Sequence, residues 1–149
     1  MNAKKEILIH LAHDQPPSLD SDLVHQAIQY TRNEWRMIAQ LKNTAQTQGP
    51  IAYTLNFPFS LGKTATYLCT LPNIVIGMAG ERKRETLDLS LRTSDHRIDL
   101  NPFLRTVTRE LDGTGGGHPL AAGARIPLNF FPLLCALNQY VSSLEHQCF

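Results

Sequence analysis

The sequence predicts an α/β fold, a mixed β-sheet with flanking helices preceded by a long N-terminal helix, and three observations predict it. Between residues 20 and 48 apolar side chains recur at helical spacing (Leu23, Ala27, Tyr30, Ile38, Leu41 and Ala45), with Val24, Ile28 and Trp35 widening the stripe. The apolar run NIVIGMA (73–79) is short and holds β-branched residues, as a buried strand does. TLDLSLRT (86–93) alternates strictly, with Leu87, Leu89 and Leu91 on one side and Asp88, Ser90 and Arg92 on the other, the pattern of a half-buried strand.

The remaining elements follow in order. Residues 4–12 read as a short helix, and QPPS (15–18) breaks it. Asp20 or Ser21 caps the long helix, which Gly49-Pro50 ends. IAYTLNF (51–57) reads as a strand and 61–71 as a helix with Ser60 as its cap. The charged stretch ERKRE (81–85) is a turn, so 73–79 and 86–93 pair as a hairpin. Asn101-Pro102 is a cap followed by a proline at the first helical position, opening a helix through Phe103, Leu104, Val107 and Leu111 that stops at Gly113 in a left-handed cap. AAGARIP then forms a short strand, and a last helix begins near Asn129 and carries Leu133, Leu134, Leu137, Tyr140, Val141 and Leu144. Residues 1–48 are accordingly expected to be a helical connector and 49–149 an α/β domain.

Composition narrows the functional classes. With 149 residues, 42% hydrophobic and 18% charged, the chain is long enough for a real core. Its formal net charge of +1 argues against a nucleic-acid coat protein while leaving room for a local basic site. Cys69, Cys135 and Cys148 are far apart and form no C-x-x-C pair, which suits a reducing cytoplasm better than a disulfide framework. The N-terminus lacks the apolar core and cleavage site of a signal peptide, and no apolar run is long enough to span a bilayer, so a cytoplasmic protein is expected.

Most chemistry-bearing residues have plain structural readings. Gly62-Lys63-Thr64 lacks the glycine that a phosphate-binding P-loop needs at position 57, where Phe57 stands. His10, His13 and Asp14 lack further donors at metal-ligand spacing, and Asp95-His96 sits in a polar connector. No metal ligands, cofactor or catalytic residues are assigned. The segment DGTGGGHPLAAGARIP (112–127) is different. It lacks serine, is short and runs directly into His-Pro, so it makes a poor linker. Glycines let successive backbone N–H groups converge on an anion, and His118 can donate to the same anion.

GGGHPLAAG (115–123), with the preceding strands LDLSLRT (87–93) and NIVIGMA (73–79), resembles the DHH-associated domain. That is the C-terminal domain of the Asp-His-His phosphoesterase superfamily, which includes RecJ-type nucleases and nanoRNA/pAp phosphatases. The resemblance covers about residues 50–140, with the helix at 20–48 in the place of the connecting helix. The ending AAGARIP is similar to the archaeal RecJ-like branch; the related module of alanyl-tRNA synthetase, which usually has a further glycine in place of His-Pro, is a weaker match. The resemblance implies that Arg92, Gly115, Gly116, Gly117 and His118 bind the phosphate or nucleotide of a substrate. A guanidinium on the polar face of a strand suits that task, because it forks onto phosphate oxygens.

The catalytic domain of that superfamily, whose aspartates and histidines hold two metal ions, has no counterpart here. Asp20-Ser21-Asp22 matches Asp-x-Asp only as letters and opens a helix. The expectation is therefore a non-catalytic binding or scaffolding subunit related to RecJ-like proteins, acting in DNA replication or repair with a GINS-type complex. The alternative is the substrate-binding half of a phosphoesterase or nuclease completed by a separate DHH chain. Contact with single-stranded nucleic acid is expected to be weak, since the chain is near neutral.

Overall fold

The computed structural model describes residues 2–146. Two compact units divide the chain, Met1–Gln40 and Leu41–Phe149. In the first, α1 (Ala3–Ala12) and a 3-10 turn (Pro17–Leu19) precede α2 (Ser21–Thr44). Asp20 is the cap of α2: its Oδ1 accepts from the backbone N–H groups of Asp22 and Leu23 at 2.9 and 3.1 Å. Its Oδ2 meets His10 Nε2 at 2.9 Å. These bonds hold the Asp20 carboxyl below the ordinary carboxylate range, the Leu23 N–H contributing most.

In the second unit a six-stranded mixed sheet has the order β1-β2-β3-β4-β6-β5. The strands are β1 (Gln46–Gln48), β2 (Ile51–Leu55), β3 (Ile76–Arg82), β4 (Thr86–Thr93), β5 (Thr114–His118) and β6 (Ala121–Pro127). Only β2 and β3 run parallel, joined through α3 (Leu61–Leu68); every other neighbouring pair is antiparallel. The main core lies on one face. There Ile51, Ile76, Met78, Leu87, Leu89, Leu91 and Ile126 meet Leu100 and Leu104 of α4 (Leu100–Glu110) and Leu133, Leu134 and Leu137 of α5 (Phe131–Glu145). On the other face Ala52, Leu68 and Leu41 form a smaller cluster beneath α3. β3 is buried on both faces through Gly80 because helices cover both. β4 alternates as expected, and it pairs with β3 as expected.

Several boundaries differ from the sequence reading, each for a local reason. The long helix ends at Thr44, not at Gly49-Pro50, because Gln46–Gln48 leaves to pair with Ile51–Tyr53. Gly49, at φ +57, makes the turn between these strands. β3 starts at Ile76 and not at Asn73: Asn73 has φ +63, and the N–H groups of Val75 and Ile76 both donate to Pro50 O. Asp99, not Asn101, caps α4 by accepting from Asn101 N at 3.1 Å. Pro102 then falls in the first turn, where no N–H is needed. The left-handed residue after α4 is Asp112 at φ +54, not Gly113; aspartate tolerates that region. Cys148 lies outside the described residues.

Leu104 is fully buried where α4 meets the sheet. Leu104→Ala is expected to lower the unfolding free energy by about 2–5 kcal/mol, through lost burial and the cavity left behind. Urea denaturation followed by circular dichroism checks this; a loss below about 1 kcal/mol would show that α4 is not seated on the core.

Candidate phosphate-binding site

Two strands meet β6 from either side and bring two of the predicted residues, Arg92 and His118, into one row. Ala121 of β6 pairs with Arg92 of β4 and with His118 of β5. Directly paired residues point to the same face, so Arg92, Ala121 and His118 share a face. It is the face opposite Leu91 and Ala122, which belong to the main core. Two strand spacings separate Arg92 from His118, about 10 Å between their Cα atoms. Between them the sheet carries only Ala121 and, in the next row, Gly123 and Gly116. Asn101 and Arg105 of α4 stand against Gly116 in that next row.

Arg92 is half-buried, and its Nη1 donates to Ser90 Oγ at 2.9 Å and to Leu91 O at 2.8 Å. Both partners are neutral, and no carboxylate pairs with it among the described residues. Its Nη2 lies so close to Gly62 of α3 that a Cβ there would be 2.9 Å away. Cys69 braces the backbone at this point. Its thiol donates to Arg92 O at 2.8 Å and its sulfur accepts from Gly77 N at 3.1 Å. Burial pushes the Cys69 thiol pKa up, so the proton needed for the first bond stays in place. Arg125 shares the face of Arg92 but is already neutralised: it bonds Asp88, its pair on β4, through Nε and Nη2. Nothing in the local pattern marks this division of labour between two arginines.

The glycines do not form the concave nest expected of them. Gly115–Gly117 lie within an edge strand, paired with Gly123, Ala122 and Ala124. Successive N–H groups of a strand point in opposite directions, so they cannot converge on one anion. Gly116 and Gly117 have φ of +144 and +148, values open to glycine alone. The reason lies in α4. A Cβ on Gly115 would sit 2.8 Å from Thr108 Cγ2, and one on Gly116 would meet Asn101 Oδ1 and Arg105 at 3.1–3.2 Å. Asn101 Oδ1 accepts from Gly117 N at 3.1 Å and from Arg105 Nε at 3.1 Å. Leu100 N donates to Pro119 O at 2.9 Å. Together these bonds place exposed His118 beside the start of α4. Asn101 is thus a positioning residue that the sequence reading took for a cap.

Two other motifs make local bonds. Ser60 Oγ accepts from Lys63 N at 3.4 Å, capping α3. Asp95 pairs with Arg97, whose Nη2 is 2.6 Å away. Among the described residues no three His, Cys, Asp or Glu side chains gather as a metal site would need. Nor is any helix among them long and apolar enough to cross a membrane.

Residues 58–143 match the DHHA1 domain family, more than half of the chain. The chain belongs to the DHHA1 family. No curated relative matches it. Among solved structures it is similar in fold to the pGpG-specific phosphodiesterase PggH from Vibrio cholerae, with TM-score 0.60 at 12% identity. That similarity covers 96% of this chain and 48% of the other. It is also similar to an exopolyphosphatase-related protein from Bacteroides fragilis, with TM-score 0.54 at 15% identity over 74% of this chain and 36% of that one. The DHHA1 chain described here therefore spans half or less of the length of these neighbours.

The Asp88–Arg125 pair predicts an acid response. Hydrogen bonding from Arg125 comes first among the causes that lower the Asp88 pKa. A carboxyl whose folded pKa is depressed adds stability above its unfolded pKa, and that contribution disappears as pH falls through the folded value. Wild type and Asp88→Asn should therefore differ in urea midpoint at neutral pH and converge in acid. A difference that persists unchanged below the carboxylate range would assign it to packing instead.

Proposed function

We propose that this DHHA1 domain is a non-catalytic module that binds the phosphate of a nucleotide or short oligonucleotide, while a DHH-type catalytic domain outside these 149 residues hydrolyses the ester. One observation carries the reading: Arg92, with no carboxylate partner among the described residues, and exposed His118 share one sheet face on either side of Ala121. To reach an anion over Ala121, Arg92 would swing its guanidinium away from Ser90 Oγ, Leu91 O and Gly62, toward His118 across roughly 10 Å between their Cα atoms. The guanidinium would supply charge and two parallel donors, and the imidazole a third. Such a surface fixes a phosphate without activating water. The fold likeness to two proteins described as a phosphodiesterase and an exopolyphosphatase-related protein supports a phosphoester as the ligand.

Titration calorimetry with pAp and with inorganic phosphate tests the reading. Arg92→Ala and His118→Ala, each checked for folding by circular dichroism, are expected to weaken pAp binding at least ten-fold. Unchanged affinity in both would make the glycine strand purely structural. The chain alone is expected to turn over neither pAp nor short oligonucleotides with manganese or magnesium, because the two-metal donor set is not among its described residues. Metal-dependent turnover that vanishes on mutation of the chain's own carboxylates would defeat the non-catalytic part.

A second reading concerns partners. On α2, Tyr30 is 76% and Trp35 67% exposed, large apolar surface that favours a protein contact. Its partner is a separate DHH-domain chain or, for a RecJ-like subunit in replication or repair, a GINS-type complex. Affinity capture followed by mass spectrometry separates the two, and recovery of neither class would remove this reading.

A further inference from the structure

The first unit presents an apolar face that the phosphate site does not use. Along α2, Val24, Ile28, Thr31, Trp35 and Ile38 follow one another at steps of four, three, four and three residues, the spacing of a seam that packs against another helix. Val24, Ile28 and Trp35 are 38%, 44% and 67% exposed. Thr31 Oγ1 donates to Ala27 O at 2.9 Å, so its hydroxyl is satisfied inside the helix and a dry neighbour costs it no bond. Over the first half of α2 the seam opens into a groove of about 490 Å³, lined by Ile7 of α1, Pro17 of the 3-10 turn and Leu23, Val24, Ala27 and Ile28. Trp35 stands on the same line of the helix, eleven residues and about 16 Å beyond Val24.

A hole and a bulky knob on one line of one helix fit a second copy running the opposite way. Setting Trp35 of one copy opposite Val24 of the other also sets Ile28 opposite Thr31, so a single two-fold axis between them repeats every contact. Charge agrees with that direction. Exposed Asp22 lies at the head of α2, and exposed Arg32 and Arg36 lie in its second half. In the antiparallel register Asp22 falls opposite Met37, next to Arg36, whereas a parallel pair would stack Arg32 on Arg32 and Arg36 on Arg36. Antiparallel helix dipoles also offset each other. The area is sufficient. Ile7, Val24, Ile28 and Trp35 leave on the order of 400 Å² of apolar surface in water. Two such patches face to face remove about 800 Å², the apolar share of an interface at the lower end of the standard range of about 1,200–2,000 Å².

We propose that the α1–α2 unit is a self-association surface: two copies pair antiparallel along α2, each seating Trp35 in the groove beside Val24 and Ile28 of the other. Tyr30 lies about 140° around α2 from Trp35 and is left for contact with a different protein. The pairing uses none of the residues of the Arg92–His118 row.

Sedimentation velocity on the full chain across a concentration series tests it, with fluorescence as a second readout, because Trp35 is the chain's single tryptophan. The sedimenting mass is expected to rise from one chain to two, and Trp35 emission to shift to shorter wavelength over the same concentrations. Ile28→Asp is expected to weaken the dimer at least ten-fold, since it buries an unpaired carboxylate beside the two-fold axis. Arg36→Asp should weaken it too, and adding Asp22→Arg should recover part of the loss, which a change in folding alone would not do. A chain that stays monomeric throughout, or assembles beyond two copies, overturns the proposal. So does a dimer that forms with Trp35 emission unchanged, one that Ile28→Asp leaves intact, or a charge exchange that recovers nothing. A monomer whose Trp35 emission shifts only when a different protein is added also overturns it, and gives this face to that protein.

Discussion

Gly77→Ala is expected to cost more than about 3 kcal/mol and to lower the melting temperature by on the order of 10 °C. A Cβ at this position would lie 2.1 Å from Ala65 O, and 2.9 Å from Cys69 N and Leu68 Cβ. Two of these three atoms belong to the backbone of α3 and its cap, so no rotamer change relieves the overlap. The helix must lift from β3, exposing Ala65 and Leu68, both fully buried. The sulfur of Cys69 would also lose the Gly77 N–H, loosening the brace behind Arg92. A thermal melt by circular dichroism is sufficient to check this. A variant melting within a degree or two of wild type would mean that α3 does not sit on the sheet as described.

Gly117→Val should cost less stability but strike the site directly. Gly117 has φ +148, and a Cβ there would lie 2.8 Å from Ala121 O and 2.9 Å from Ala122 Cα. A β-branched residue must leave that region, at a cost of about 1–3 kcal/mol. In leaving, it turns the N–H away from Asn101 Oδ1 and shifts His118 off the row it shares with Arg92. Binding of pAp is expected to fall at least ten-fold. Gly123→Ala is the control: its Cβ would meet only Leu89 O at 3.4 Å, and its φ is not positive. That variant should fold as wild type. Equal melting and equal pAp affinity in Gly117→Val would show that β5 does not position His118.

The sequence by itself determined those features whose cause is local. The alternation of β4 is a period of two residues, visible without any neighbour, and Leu87, Leu89 and Leu91 are indeed its buried side. The Ser60 cap needs only Ser60 and Lys63. At the head of α2 the sequence offered Asp20 or Ser21, and the structure puts the cap on Asp20. The glycine-His-Pro string, with the two strands before it, was enough to point to the DHHA1 family. Where two local signals competed, the sequence misled. Asn101-Pro102 looked like a cap, but Asp99 stood two residues earlier, and Asn101 was needed against Gly117.

Only the tertiary structure decided what the pieces do together. Strand order put β6 between β4 and β5, although β5 precedes β6 in the chain, and that insertion is what sets Arg92 and His118 in one row. Register decided that Asp88 faces Arg125 and leaves Arg92 without a carboxylate partner among the described residues. The packing of α4 decided that Gly115–Gly117 form an edge strand and not a nest. The physical reason is common to all three. Period and capping act over a few residues of one chain segment. Strand neighbours and register are set by hydrogen bonds and buried faces between segments distant in sequence, which no local pattern encodes.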